Sequence, residues 1–210
     1  MKNITDYFIK YFPDSIILPS LGNHEGVPIN QFPSQDYWLY ETIAQQWSKF
    51  KLNSTSYDTI KRHGYYTELL KPGFRVISIN SNYCNDENWW ILLSSGDPGH
   101  QHQWLVDTLT NAELNKERVI LLGHIPPGEN DQVEFCSEMF FKIINRFGNT
   151  VRAQFYGHTH WDQIKIFYQG NNPTNIAYVT PSVTTWVGVD PSFRIYEIDH
   201  WDNPNSSFSG

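Results

Sequence analysis

Apolar residues along this 210-residue chain fall into short, β-branched runs separated by stretches with helical spacing. Runs at Ser15–Leu18, Phe74–Asn80, Arg118–Leu122, Ala153–Tyr156, Gln163–Tyr168, Ile176–Val179 and Phe193–Ile198 predict strands. Several lack polar alternation, as expected where both faces of a sheet are covered. Asp36–Phe50 predicts a helix with Trp38, Leu39, Ile43, Trp47 and Phe50 near one face. Gln101–Leu114 (Trp104, Leu105, Leu109) and Ser137–Phe147 (Phe140, Ile143, Ile144, Phe147) repeat that spacing. Phe140 stands where a capping box after Ser137 needs Glu, so that start is the least defined. Strands alternating with helices predict an α/β class. Residues 1–202 read as one domain without repeats or linkers, and the polar tail 203–210 is expected to fray.

Composition narrows the function. Aromatic residues make up 16% of the chain, too many for a disordered segment. The formal net charge of -7 repels polyanions and argues against a nucleic-acid partner. No apolar run approaches the ~20 residues of a transmembrane segment. The N-terminal stretch has no basic region followed by an apolar core, so it does not read as a signal peptide. Asn3, Asn53 and Asn205 begin glycosylation sequons. Cys84 and Cys136 fit either one disulfide or two buried thiols.

Candidate chemistry collects directly after predicted strands. Asn23 and His24 follow the first run in Gly22-Asn23-His24-Glu25, His124 follows Arg118–Leu122 after Gly123, and His158 and His160 follow Ala153–Tyr156 in Gly157-His158-Thr159-His160. Loops beyond the C-terminal ends of strands in an open α/β sheet converge on one crevice. Glycine ahead of each polar residue suits a sharp turn and a close approach to a ligand. Imidazoles suit Zn²⁺, Mn²⁺ or Fe, and an amide oxygen can complete a shell. Histidines two residues apart in a turn can face two cations about 3.5–4 Å apart, as in phosphoester sites. A lone histidine after a strand is usually a turn residue; three such junctions together favour a metal site.

The order Gly-Asn-His-Glu, Gly-His, Gly-His-x-His resembles the C-terminal part of the calcineurin-like metallophosphoesterase signature. Longer stretches are similar to the acid sphingomyelinase (sphingomyelin phosphodiesterase) family: Gly22-Asn23-His24-Glu25 through Pro28-x-Asn30-x-Phe32-Pro33, Gly123-His124-Ile125-Pro126-Pro127-Gly128, Phe155-Tyr156-Gly157-His158-Thr159-His160-x-Asp162, Asp97-Pro98 with Gln103-Trp104-Leu105-Val106, and Pro181-Ser182-x-Thr184-Thr185-x-x-Gly188. The likeness runs from about Asp14 to Asp199. It implies a four-layer α-β-β-α metallophosphoesterase sandwich, incomplete here, without its N-terminal strands and C-terminal helical segment. It implies Asn23, His124 and His158 as ligands of one Zn²⁺, His160 as a ligand of a second, and His24 as general acid to the leaving alkoxide. It also implies a disulfide between Cys84 and Cys136, worth about 4 kcal/mol in the chain-entropy model. Asp162 is a candidate to orient a ligand imidazole, with a surface turn carboxylate as the rival reading. Trp186 is a candidate substrate wall for a choline headgroup, with core packing as the competing role. Glu25 reads as structural, and His63, His100, His102 and His200 as surface residues.

The family pattern also needs an Asp-x-His and a bridging Asp upstream of Gly22, and neither is present there. Gly96-Asp97 lies downstream and cannot replace them. Without the bridge two dications would repel strongly. The chain is therefore expected to be N-terminally truncated, to hold one tight Zn²⁺ or fewer, and to have low activity alone. It is also expected to leave sheet edges and core surface exposed. The implied function is Zn²⁺-dependent phosphodiester hydrolysis, sphingomyelin to ceramide and phosphocholine at a membrane surface, in a secreted or lysosomal protein. The rivals are a nucleotide phosphodiesterase of the sphingomyelinase-like type and a non-catalytic metal-binding fragment.

Overall fold

The computed structural model describes residues 2–34, 37–93, 96–198 and 208–209. Six strands form one mixed sheet: β1 (Tyr66–Lys71), β2 (Phe74–Ser78), β3 (Arg118–Leu122), β4 (Val151–Tyr156), β5 (Gln163–Gln169) and β6 (Asn172–Val179), in the order β1-β2-β3-β4-β6-β5. The pairings β2–β3, β3–β4 and β4–β6 are parallel, whereas β1 and β5 are antiparallel edges. A separate pair joins β7 (Glu197–Ile198) to β8 (Phe208–Ser209). Helices α1 (Lys2–Tyr11), α2 (Trp38–Trp47), α3 (Ser54–His63), α4 (Gln101–Leu114) and α5 (Glu134–Arg146) complete the described elements.

The main core lies between the sheet and α4 and α5. Ile77, Val119, Leu121, Val151, Ala177 and Val179 point from the strands at Leu105, Leu109, Phe140, Ile143 and Ile144. Each of those helices shows an inward stripe at helical spacing, which is why both were legible in the sequence. A second cluster joins α2 and α3 to Leu21, Phe32, Tyr66 and Tyr83. Phe74, Val76 and Ile120 start a third, smaller cluster on the opposite sheet face. The α/β expectation holds: helices pack on a six-stranded mixed sheet, with a second, two-stranded sheet beside it among the described residues.

Some sequence expectations fail locally. Ser15–Leu18 forms no strand. Instead the chain beyond it is tethered by side chains: the Pro19 carbonyl accepts from the Tyr66 and Ser78 hydroxyls at 2.8 and 3.2 Å. Phe193–Ile198 shortens to the two residues of β7. Helix α3 and strand β1 were not anticipated, although α3 carries its signals. The Asn53 side chain accepts from Ser56 N at 2.8 Å as N-cap, and Gly64 ends the helix at φ 76°. Helix α5 starts at Glu134, before the expected Ser137. Trp38 points outward rather than to the core. Covered strand faces do not extend to β5, where Ile164, Ile166 and Tyr168 are all more than half exposed.

Candidate metal centre

The C-terminal ends of β3 and β4 lie side by side in parallel register, with Leu122 opposite Phe155. Each strand is followed by glycine and histidine, so their imidazoles emerge together. The rings of His124 and His158 meet edge to face at 5.1 Å. Asn23 joins them from a 3-10 turn, Asn23–Glu25, its Oδ1 lying 2.9 Å from His124 Nε2.

The glycines serve this meeting through space rather than through turn geometry. A Cβ on Gly123 would stand 2.6 Å from the Tyr156 ring, and one on Gly22 2.7 Å from Glu25 Oε2 and 3.2 Å from His124 Cε1. The sharp turn falls on the histidines themselves: His158 and His160 have φ of 71° and 67°. Left-handed backbone at a non-glycine residue costs on the order of 1 kcal/mol and clusters at functional positions.

Several supports escaped sequence reasoning, most of them because they come from distant segments. Asn23 Nδ2 donates to Asn30 Oδ1 at 2.8 Å, and Asn30 in turn donates to the Glu87 carboxylate. That chain turns the Asn23 amide so that its oxygen faces His124. Ser81 Oγ accepts from the backbone N–H of His124 and Ile125, at 3.1 and 2.8 Å, and fixes the turn after β3. Asp131 Oδ2 lies 2.6 Å from His158 Nε2. The one available sequence signal was Asn30, a left-handed residue (φ 66°) inside a matched motif.

Electrostatics fit a site for cations. His124 is pushed down to about 3, first by burial and then by the neighbouring charges of His158, His24 and His160. Asp131 is held below the usual carboxylate range, chiefly by its hydrogen bond with His158. His160 Nδ1 is buried without a hydrogen-bond partner, an orphaned polar atom. Among the described residues no three His, Cys, Asp or Glu side chains gather to hold a metal ion by themselves. The donor set therefore depends on the Asn23 amide oxygen. Asn23 Oδ1 and the paired imidazoles of His124 and His158 are the donors brought together, of types that suit a divalent cation; His160 does not complete a group of three with them.

His24 is exposed and close enough to His124 to act on it electrostatically, and Glu25 accepts from Gly22 N at 2.7 Å, a structural role. Asp162 pairs with Arg194, whose Nε donates at 3.0 Å, and orients no imidazole through a described hydrogen bond. Trp186 is 71% exposed, so it is not packed in the core. His102 is buried beside Asp97 at 3.2 Å rather than on the surface, and His63 stacks on Tyr65. His200 and Asn205 lie outside the described residues, and most of the 203–210 tail with them. Asn53 Nδ2, a glycosylation candidate, donates to Glu68 Oε2 at 2.7 Å. Cys84 and Cys136 form the disulfide, with Cα atoms 5.9 Å apart.

The profile of the calcineurin-like phosphoesterase family matches residues 2–162. The chain is 37% identical over 209 residues to "Sphingomyelin phosphodiesterase" of Bos taurus, covering 95% of this chain and 33% of that protein. It is 39% identical over 208 residues to "Sphingomyelin phosphodiesterase B" of Dictyostelium discoideum, covering 93% and 33%. A mouse protein, "Acid sphingomyelinase-like phosphodiesterase 3b" of Mus musculus, is 35% identical over 222 residues, covering 95% and 48%. The chain thus spans about a third to a half of the length of these relatives. The chain belongs to the calcineurin-like phosphoesterase family.

Proposed function

We propose that this chain hydrolyses a phosphodiester, with sphingomyelin as substrate and ceramide and phosphocholine as products, at a zinc site built on Asn23, His124 and His158, with His160 as a ligand on the side of a second cation. The single observation that carries the reading is the approach of the His124 and His158 rings to 5.1 Å, with the Asn23 amide oxygen 2.9 Å from His124. Similarity to proteins named sphingomyelin phosphodiesterases supports the substrate. A bound zinc ion would polarise the phosphoryl oxygens and lower the pKa of an attacking water.

The chain's own residues would divide the remaining work. Burial and neighbouring charges keep His124 neutral to about pH 3, so its lone pair stays available in an acidic compartment. His24, exposed and next to Asn23, would donate the proton that the departing alkoxide needs. Trp186, also exposed, remains a candidate wall for the choline headgroup through cation–π contact. Imidazoles and one amide leave little negative charge to hold two dications close together, so at most one tight zinc and low activity are expected.

A secreted or lysosomal setting is part of this proposal. It is supported by the Cys84–Cys136 disulfide, since such bonds persist in oxidising compartments. No described helix is long and apolar enough to cross a membrane.

Zinc titration by calorimetry, followed by assays on sphingomyelin, bis-nitrophenyl phosphate and ATP, tests the reading. One tight zinc and preferential cleavage of sphingomyelin are expected. Turnover of ATP alone would move the chain to the nucleotide class, and a chain that takes up no zinc would end the metal-centre reading.

A further inference from the structure

We propose that Asp131 is a positioning residue of the metal centre: it fixes the tautomer of His158 so that Nδ1, not Nε2, meets the cation. This rests on the metal-centre reading above. Asp131 lies in the segment between β3 and α5, far from Gly157-His158 in sequence, yet its Oδ2 is 2.6 Å from His158 Nε2. A carboxylate accepts there, so Nε2 carries the proton and Nδ1 keeps the lone pair. Metal-bound histidines almost always donate their other ring N–H to such a partner, which orients the ring and raises its basicity.

The carboxylate is held from several sides, unlike a chance surface ion pair. Asn85 Nδ2 donates to the same Oδ2 at 3.1 Å. The backbone of the segment is tied down as well: Asp86 N donates to Asp131 O, and Val133 N to Cys84 O, each at 2.9 Å. Gln132 forms a β-bridge with Asn85. The Cys84–Cys136 disulfide clamps the two chain segments that carry these contacts. The disulfide therefore has a local role besides its effect on chain entropy: it holds the strip that delivers Asp131 to His158.

The experiment uses the 210-residue chain labelled with ¹⁵N-histidine and loaded with zinc, the His158 signal being identified by its loss in His158→Gln. Nitrogen shifts expected are a protonated Nε2 and a zinc-bound Nδ1. In parallel, Asp131→Asn should bind zinc 10- to 100-fold more weakly by calorimetry. If Asp131→Asn does not fold, the tautomer of the unaltered chain still decides. Zinc bound through Nε2, or unchanged affinity in a folded Asp131→Asn, overturns the role of Asp131 while leaving the metal centre intact. A chain that binds no zinc overturns both.

Discussion

His124 combines burial with three imidazole neighbours, and that combination predicts how acid acts on the metal-free chain. An unfolded histidine takes a proton near pH 6.5, whereas folded His124 resists until about pH 3. Between those limits the unfolded state binds more protons, so stability falls as pH falls through that window and recovers above it. The loss approaches at most about 1.4 kcal/mol per pH unit for one proton. Urea melts of the metal-free chain from pH 7 to pH 4 should show this decline, with a shallower slope in His124→Gln. An identical slope in the variant would show that His124 is not the responsible group. The same residue illustrates why its surroundings were hidden in the sequence. Gly123-His124 marks the turn, but Ser81 and Asn23, which hold and face it, come from segments more than forty residues away.

At the scale of elements, α4 and β3 fall where the hydrophobic spacing predicts, Gln101–Leu114 and Arg118–Leu122. Both are long or apolar enough for local pattern to coincide with their buried face. Helix α3 fails that test because few of its residues are buried, Ser56 and Ile60 among them. Its stability depends on the Asn53 cap and on packing against α2 and β1. Strand β1 was missed because its pattern runs against the rule, with Glu68 buried and Leu69 exposed, so that pairing to β2 supplies the order. The Cys84–Cys136 link joins the segment after β2 to α5 across 52 residues. Replacing both cysteines by serine should cost about 4 kcal/mol in the chain-entropy model. The urea midpoint measures this, and a change below about 1 kcal/mol would mean that the loop stays closed without the bond.

The whole molecule is lopsided. One sheet face is covered by α4 and α5, whereas the β5 end of the other leaves Ile164, Ile166 and Tyr168 in solvent. Exposed apolar side chains along an edge strand such as β5 favour association. The double variant Ile164→Thr, Ile166→Thr keeps β-branched side chains and removes apolar area. Light scattering after size exclusion should show a larger monomer fraction than in the unaltered chain, with little change in melting temperature. An unchanged monomer fraction would place the self-association elsewhere.

Spacing in the sequence was enough to mark the glycine–histidine junctions after β3 and β4, the two long amphipathic helices and the α/β class, because each is a local pattern repeated by adjacent residues, whereas the strand expected before Gly22 did not form. Tertiary structure alone decided that Asn30 and Glu87 orient the Asn23 amide, that Asp131 reaches His158, that His102 is buried, and that Asp162 turns to Arg194 instead. Those partnerships join side chains whose separation along the chain carries no periodic signature. A hydrogen bond of three ångströms depends on where folding brings two segments, and no local pattern encodes that distance.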